Sequence, residues 1–230
     1  MSTAPVEHLE YADDERPLTL LEEADQLMEQ IPGYRVEIIG GILTVTPPPD
    51  APHARALTKL MAPFIAAGLA DGETEVLQGI GLWLPDGPED YAIPDLSVVD
   101  ADIDEHLIEH NCYDPVAFRL VLEVTSSNYN NDLRSKAVAY AQARIPVYVI
   151  VNRQHQRVHV LTDPVDGEYK GHRIHAAGEL AALPDTLGAK VTLDVDQLLK
   201  AGRPQKKKPK PDPKEQDLND QDPKGSESEI

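Results

Sequence analysis

The chain has 230 residues, of which 41% are hydrophobic and few aromatic, and its 40 acidic against 21 basic side chains give a formal net charge of −19. That length allows one domain of ordinary size plus tails. The charge repels phosphate backbones at long range and excludes a tight, general nucleic-acid binder, though not chemistry in which a metal supplies local positive charge.

Residues 1–17 are polar and acidic, a disordered leader rather than a secretory signal. Thr19-Leu20-Leu21-Glu22 has the form of a capping box and predicts a helix over 19–29, stopped by Ile31-Pro32-Gly33. Two β-rich runs, 34–39 and 42–46, flank Gly40-Gly41, the signature of a tight hairpin with positive φ. After Pro47-Pro48-Pro49, Asp50 caps a second helix with Pro52 in its first turn; Ala56, Leu57, Leu60, Met61, Phe64 and Ile65 give its apolar face, and Pro63 predicts a kink. Residues 74–84 read as one strand bent at Gly79 or Gly81. Runs 93–99 and 119–125 read as strands, with an acidic, loop-like stretch between them. A helix over 132–143 carries Leu133, Ala137, Tyr140 and Ala141 on one face. Residues 147–151 are wholly apolar, as befits a covered central strand. Further strands follow at 157–161 and 169–174, and 191–199 starts as a strand and ends as a short helix.

From Ala201 onward the chain is almost free of apolar side chains and reads as a disordered tail. It carries seven basic and seven acidic side chains, so the whole of the net charge belongs to residues 1–200. Its Lys206-Lys207-Lys208 cluster either touches DNA or a partner or belongs to a solubilising tail. The boundaries are therefore 1–17, 18–200 and 201–230. The fold class is α/β (α+β): a mixed sheet with helices packed on it, preceded by a helix and a hairpin. The lone Cys112 excludes a disulfide framework and a cysteine-based zinc site, and fits a reducing cytoplasm. No apolar run approaches the roughly 20 residues needed to cross a bilayer.

Chemistry concentrates in two segments, Ile93-Pro94-Asp95-Leu96-Ser97-Val98-Val99 and Leu120-Val121-Leu122-Glu123-Val124-Thr125-Ser126. A carboxylate in a buried strand is costly unless its charge is compensated. A divalent metal is one compensator, and two carboxylates on neighbouring strands make a hard-cation site. Strand alternation puts Val121, Glu123 and Thr125 on one face and Leu120, Leu122 and Val124 on the other. Asp95 is otherwise a turn or strand-start residue. Lys136, four residues after Asp132, is otherwise one half of an ion pair on a helix surface. Taken together, two acids and an ammonium form a hydrolytic set.

The order Pro94-Asp95-Leu96-Ser97-Val98-Val99, then Leu120–Ser126, Asp132, Lys136 and Tyr140, then Ile145-Pro146-Val147-Tyr148, resembles the Uma2 family. That is a large bacterial group assigned as endonucleases within the PD-(D/E)XK nuclease superfamily. The likeness takes in the hairpin Tyr34-Arg35-Val36-Glu37-Ile38-Ile39-Gly40-Gly41, then Pro47-Pro48-Pro49 and His53, and spans about residues 18–200. It implies a restriction-endonuclease-like mixed sheet flanked by helices, Asp95 and Glu123 as ligands of Mg²⁺ or Mn²⁺, and nucleic acid, DNA foremost, as substrate. The superfamily's lysine, two residues after the second acid, is replaced here by Thr125, and Lys136 matches the lysine of Uma2-like sequences. Glu37 matches the family's hairpin glutamate, a further metal or water ligand if not an exposed hairpin residue. His53 either contacts substrate, orients a carboxylate, or is a polar residue near a helix start. The hairpin turn departs from the family's Asp-Gly-Glu. The fold is compatible with a homodimer. Two other readings stay open: a non-catalytic binding or regulatory protein that keeps the nuclease fold, and a hydrolase of small phosphorylated substrates.

Overall fold

The computed structural model describes residues 16–125 and 132–204. Most of the leader and of the tail read from the sequence, and Ser126, lie outside the described residues.

The first helix, α1 (Leu20–Gln30), starts where the capping box places it: Thr19 Oγ1 accepts from the Glu22 N–H, and the Thr19 N–H donates to the Glu22 carboxylate. Its apolar face lies on the hairpin β1 (Arg35–Ile39) and β2 (Ile42–Thr46), where Leu20, Leu21, Ala24 and Leu27 pack with Val36 and Ile38. The hairpin turn needs two consecutive positive φ angles, +61° at Gly40 and +70° at Gly41, which only glycine adopts without strain. Both turn N–H groups donate to the buried carboxylate of Asp90, Gly40 at 2.6 Å and Gly41 at 3.2 Å. The hairpin turn is thus an acid-binding nest, served by an aspartate from elsewhere in the chain. Asp90→Ala leaves these N–H groups without their anion. It is expected to cost about 2 kcal/mol, or roughly 4–8 °C in Tm by circular dichroism. A melt within 1 °C of wild type would show that water replaces the carboxylate without loss.

Helix α2 (Ala51–Ala66) is capped by Asp50, whose side chain accepts from the His53 N–H, and it runs on through Pro63 to Ala66. Residues 74–84 form two strands rather than one bent strand: β3 (Thr74–Leu77) and β4 (Gly81–Trp83) belong to different sheets, and the chain crosses between them at Gly79, φ +64°. The run 93–99 is a strand only from Leu96. β5 (Tyr91–Ala92) joins the first sheet and β6 (Leu96–Asp100) the second, leaving Ile93, Pro94 and Asp95 between them, so Asp95 precedes its strand rather than lying within it. The stretch expected to be loop-like holds two short strands, β7 (Leu107–Glu109) and β8 (Cys112–Tyr113). β9 (Phe118–Thr125) follows, then a wide π-helical turn Asp132–Lys136 that leads into α3 (Ala137–Gln142). The remainder is β10 (Val147–Asn152), β11 (Arg157–Val165), β12 (Glu168–Ala176), β13 (Leu180–Ala182), β14 (Thr192–Asp194) and α4 (Val195–Ala201).

Two six-stranded mixed sheets result, ordered β2-β1-β5-β4-β8-β7 and β12-β11-β10-β9-β6-β3, with β13 and β14 as a small ribbon. β10 lies between β9 and β11, parallel to β9, and is buried along its whole length. The chain returns from β9 to β10 by way of α3, as a parallel pair requires. One face of this central sheet, with Leu120, Leu122, Val124, Val149 and Val151, packs on Leu60 and Phe64 of α2 and on Leu198 and Leu199 of α4. The other face, with Val121, Tyr148 and Ile150, packs on α3 and on Ile39, Leu82 and Ala92 of the first sheet. Among the described residues no helix is long and apolar enough to cross a membrane.

Candidate active site

The seam between the two sheets opens at one end into a cleft of about 480 Å³. Period-2 alternation delivers its side chains. On β1, Val36 and Ile38 point at α1, which leaves Arg35, Glu37 and Ile39 facing the central sheet. On β9, Glu123 shares the face of Val121, as its flanking residues predict. Continuing the Leu96↔Leu122 register by one residue sets Asp95 opposite Glu123. All five side chains singled out in the sequence come together here: Glu37, His53, Asp95, Glu123 and Lys136 all line the cleft.

Lys136 is 3% exposed and joins the two glutamates across the seam, its Nζ 2.9 Å from Glu37 Oε1 and 2.8 Å from Glu123 Oε1. The Asp132 side chain, the other partner the sequence offers for this ammonium, lies outside the described residues. Glu37 is as deeply buried as Glu123, not an exposed hairpin residue, and also accepts from the Ile93 N–H at 2.8 Å. Tyr140, one turn after Lys136, donates its hydroxyl to Glu123 Oε1 at 2.9 Å. Burial and the neighbouring glutamates push its phenol well up, so it stays a donor.

Asp95 Oδ2 accepts from the Val124 N–H at 2.7 Å and lies 3.3 Å from His53 Nε2. Oδ1 accepts from Arg35 Nη2 at 2.6 Å. Burial works to raise the Asp95 carboxyl, but His53, Arg35 and the Val124 N–H outweigh it and hold it at about 2. A group with a depressed folded value stabilises fully above about pH 4 and loses that contribution as pH falls through about 2. Asp95→Asn is expected to flatten the acid-unfolding curve across that window; an unchanged curve would show that Asp95 is not a linked group.

Arg35 and Tyr140 were not singled out by the sequence. The guanidinium of Arg35 spans both acids, with Nη1 3.9 Å from Glu123 Oε2, and is pinned by the Ile93 carbonyl at 2.8 Å. Burial works against its charge, and Asp95, Glu123 and Glu37 more than restore it. Its place two residues before Glu37 was the available signal. At the rim Arg153 grips Asp50 through two bonds of 3.0 and 3.1 Å. Thr125, on the Glu123 face of β9, turns a buried hydroxyl that has no hydrogen-bond partner among the described residues, and the residue lines the same cleft. Among the described residues no three acid, histidine or cysteine side chains stand together as a ready metal cage; the carboxylates are grouped around the chain's own cations.

A family model described as "Uma2: Putative restriction endonuclease" matches residues 21–196. Among solved structures, a chain titled "a putative nuclease belonging to DUF820 from Anabaena variabilis ATCC 29413" superposes with a TM-score of 0.61 at 14% identity, covering 81% of this chain and 100% of that one. At that identity the likeness is one of fold. No curated protein matches the chain.

Proposed function

The chain belongs to the Uma2 family, and from that premise and the geometry of the cleft we propose that it is an endonuclease, hydrolysing phosphodiester bonds in DNA with Mg²⁺ or Mn²⁺ held by Asp95 and Glu123. The observation that carries this reading is the convergence of Asp95, Glu123 and Lys136 on one cleft from three separate elements. The donor set suits such an ion. Asp95, just before β6, and Glu123, on β9, line the same cleft, Glu37 bonds Lys136, and Thr125 adds an orphaned hydroxyl, all of them oxygens. Oxygen ligands select hard cations.

Asp95 and Glu123 would hold the divalent ion, which when bound would supply positive charge for the scissile phosphate and lower the pKa of water. The rest is the work of the chain's own groups. Lys136 holds Glu123 and Glu37 in register and gives the cleft lining an ammonium, a fixed positive charge of the kind that stabilises a phosphoryl transition state without reorganisation. Tyr140 fixes the same Glu123 oxygen, leaving Oε2 to face Arg35. His53 and the Val124 N–H fix Asp95.

The test is cleavage of plasmid, single-stranded DNA and RNA by purified protein. DNA is expected to be nicked or cut with Mg²⁺ or Mn²⁺ and left intact with chelator; no cleavage of any of the three with either ion would sink the reading. One observation favours a second reading, a non-catalytic binding protein on the same fold: Arg35 and Lys136 already answer the carboxylates. That version predicts no divalent-ion binding at millimolar concentration by calorimetry.

A further inference from the structure

Three buried acidic side chains, Glu37, Asp95 and Glu123, face two basic ones, Lys136 and Arg35. The two cations are held differently. Lys136 is enclosed, its side chain only 4% exposed, and bonds the glutamates at the back of the cleft. Arg35 stands at the front with 23% of its side chain exposed, between Asp95 and Glu123. Its contact with Asp95 is tight, at 2.6 Å, and its contact with Glu123 loose, at 3.9 Å.

We infer that Arg35 is a resident counter-ion which the divalent cation must displace, so that this side chain sets the protein's affinity for metal. The inference rests on the metal-dependent reading above. The space between the two acids holds one cation. A dication added beside both Arg35 and Lys136 would leave the buried site with an excess of positive charge, which is costly away from water. With Arg35 moved outward, Lys136 and a dication together balance the three carboxylates. The partial exposure of Arg35 supplies the path: its long stem can carry the guanidinium to solvent while Lys136 stays. In the absence of metal, Arg35 bridges Asp95 and Glu123 and so holds the site together while competing for it.

The measurement is calorimetric titration of Mn²⁺ into wild type, Arg35→Gln and Asp95→Asn, with circular dichroism to check folding. When the metal-competent state is a minority, its removal of the competitor tightens the apparent Kd by the inverse of that fraction. Arg35→Gln is expected to bind Mn²⁺ about tenfold tighter than wild type, to melt lower without metal, and to gain more in Tm on adding Mn²⁺. Asp95→Asn is expected to lose binding. A folded Arg35→Gln with the wild-type Kd or a weaker one overturns the counter-ion role, while loss of binding in Asp95→Asn keeps the metal site. Absence of binding in both wild type and Arg35→Gln, or wild-type binding in Asp95→Asn, overturns the metal-dependent reading itself and this inference with it. Should Arg35→Gln not fold, Arg35→Lys replaces the two-pronged guanidinium with a single ammonium. It too is expected to bind Mn²⁺ tighter than wild type, and a wild-type Kd there counts against the inference.

Discussion

Glu123→Gln is expected to lower Mn²⁺-dependent DNA cleavage by at least about 100-fold while leaving the fold intact. The amide keeps the volume of the carboxylate and one oxygen to accept from Lys136 and Tyr140, so the hydrogen bonds around Oε1 have a replacement. What disappears is a full negative charge opposite Asp95. That charge is needed both to hold a divalent ion and to hold the buried ammonium of Lys136, whose other carboxylate partner is Glu37. The measurement is initial cleavage rate at saturating Mn²⁺, beside a thermal melt. A variant that folds as wild type and cuts within threefold of it would remove Glu123 from the chemistry.

Lys136→Met is expected to be the most destabilising single change in the cleft, by about 3–5 kcal/mol. Methionine fills much of the lysine stem's volume, so lost packing is a minor part. The dominant part is electrostatic: Glu37 and Glu123 each point an oxygen at the ammonium from opposite sheets, and without it two buried carboxylates face one another. Such a loss corresponds to roughly 6–20 °C in Tm for a chain of this size. The double variant Glu37→Gln/Lys136→Met removes one of the stranded charges and is expected to recover part of the stability, though none of the cleavage. If the single variant melts within 2 °C of wild type, or the double melts lower than the single, Lys136 is not the clamp between the sheets.

What the sequence disclosed follows from which signals are local. Glu123 could be placed on the correct face of its strand because β9 is eight residues long with apolar neighbours on both sides, so the period-2 pattern is unambiguous. Thr19, Asp50 and the glycine pair announced element ends because caps and tight turns are made by the residues that carry them. The crossings between sheets left a weaker mark, a bend at Gly79 or Gly81 and a turn or strand start at Asp95. At Gly79 and at Pro94-Asp95 the chain continues through β-prone residues while changing sheets, and only long-range pairing separates one strand from two. β7 was missed because all three of its residues are exposed and too few to show a period. Arg35 was missed for a related reason. An arginine beginning a hairpin strand is ordinarily solvated, and only the docking of the first sheet on the second turns that face of β1 inward. Tyr140 was assigned to the apolar face of its helix, which is where its ring lies, edge-on to Tyr148 with centroids 4.9 Å apart; its hydroxyl nevertheless ends on Glu123.

Because Glu37 belongs to one sheet, Glu123 to the other and Lys136 to the turn that follows β9, the cleft depends on how the two sheets meet. A slight parting of the seam would draw Glu37 away from Lys136. An inhibitor protein wedged at the hairpin, or a substrate that pressed the halves together, would therefore act as an off or on signal without ever touching the scissile bond.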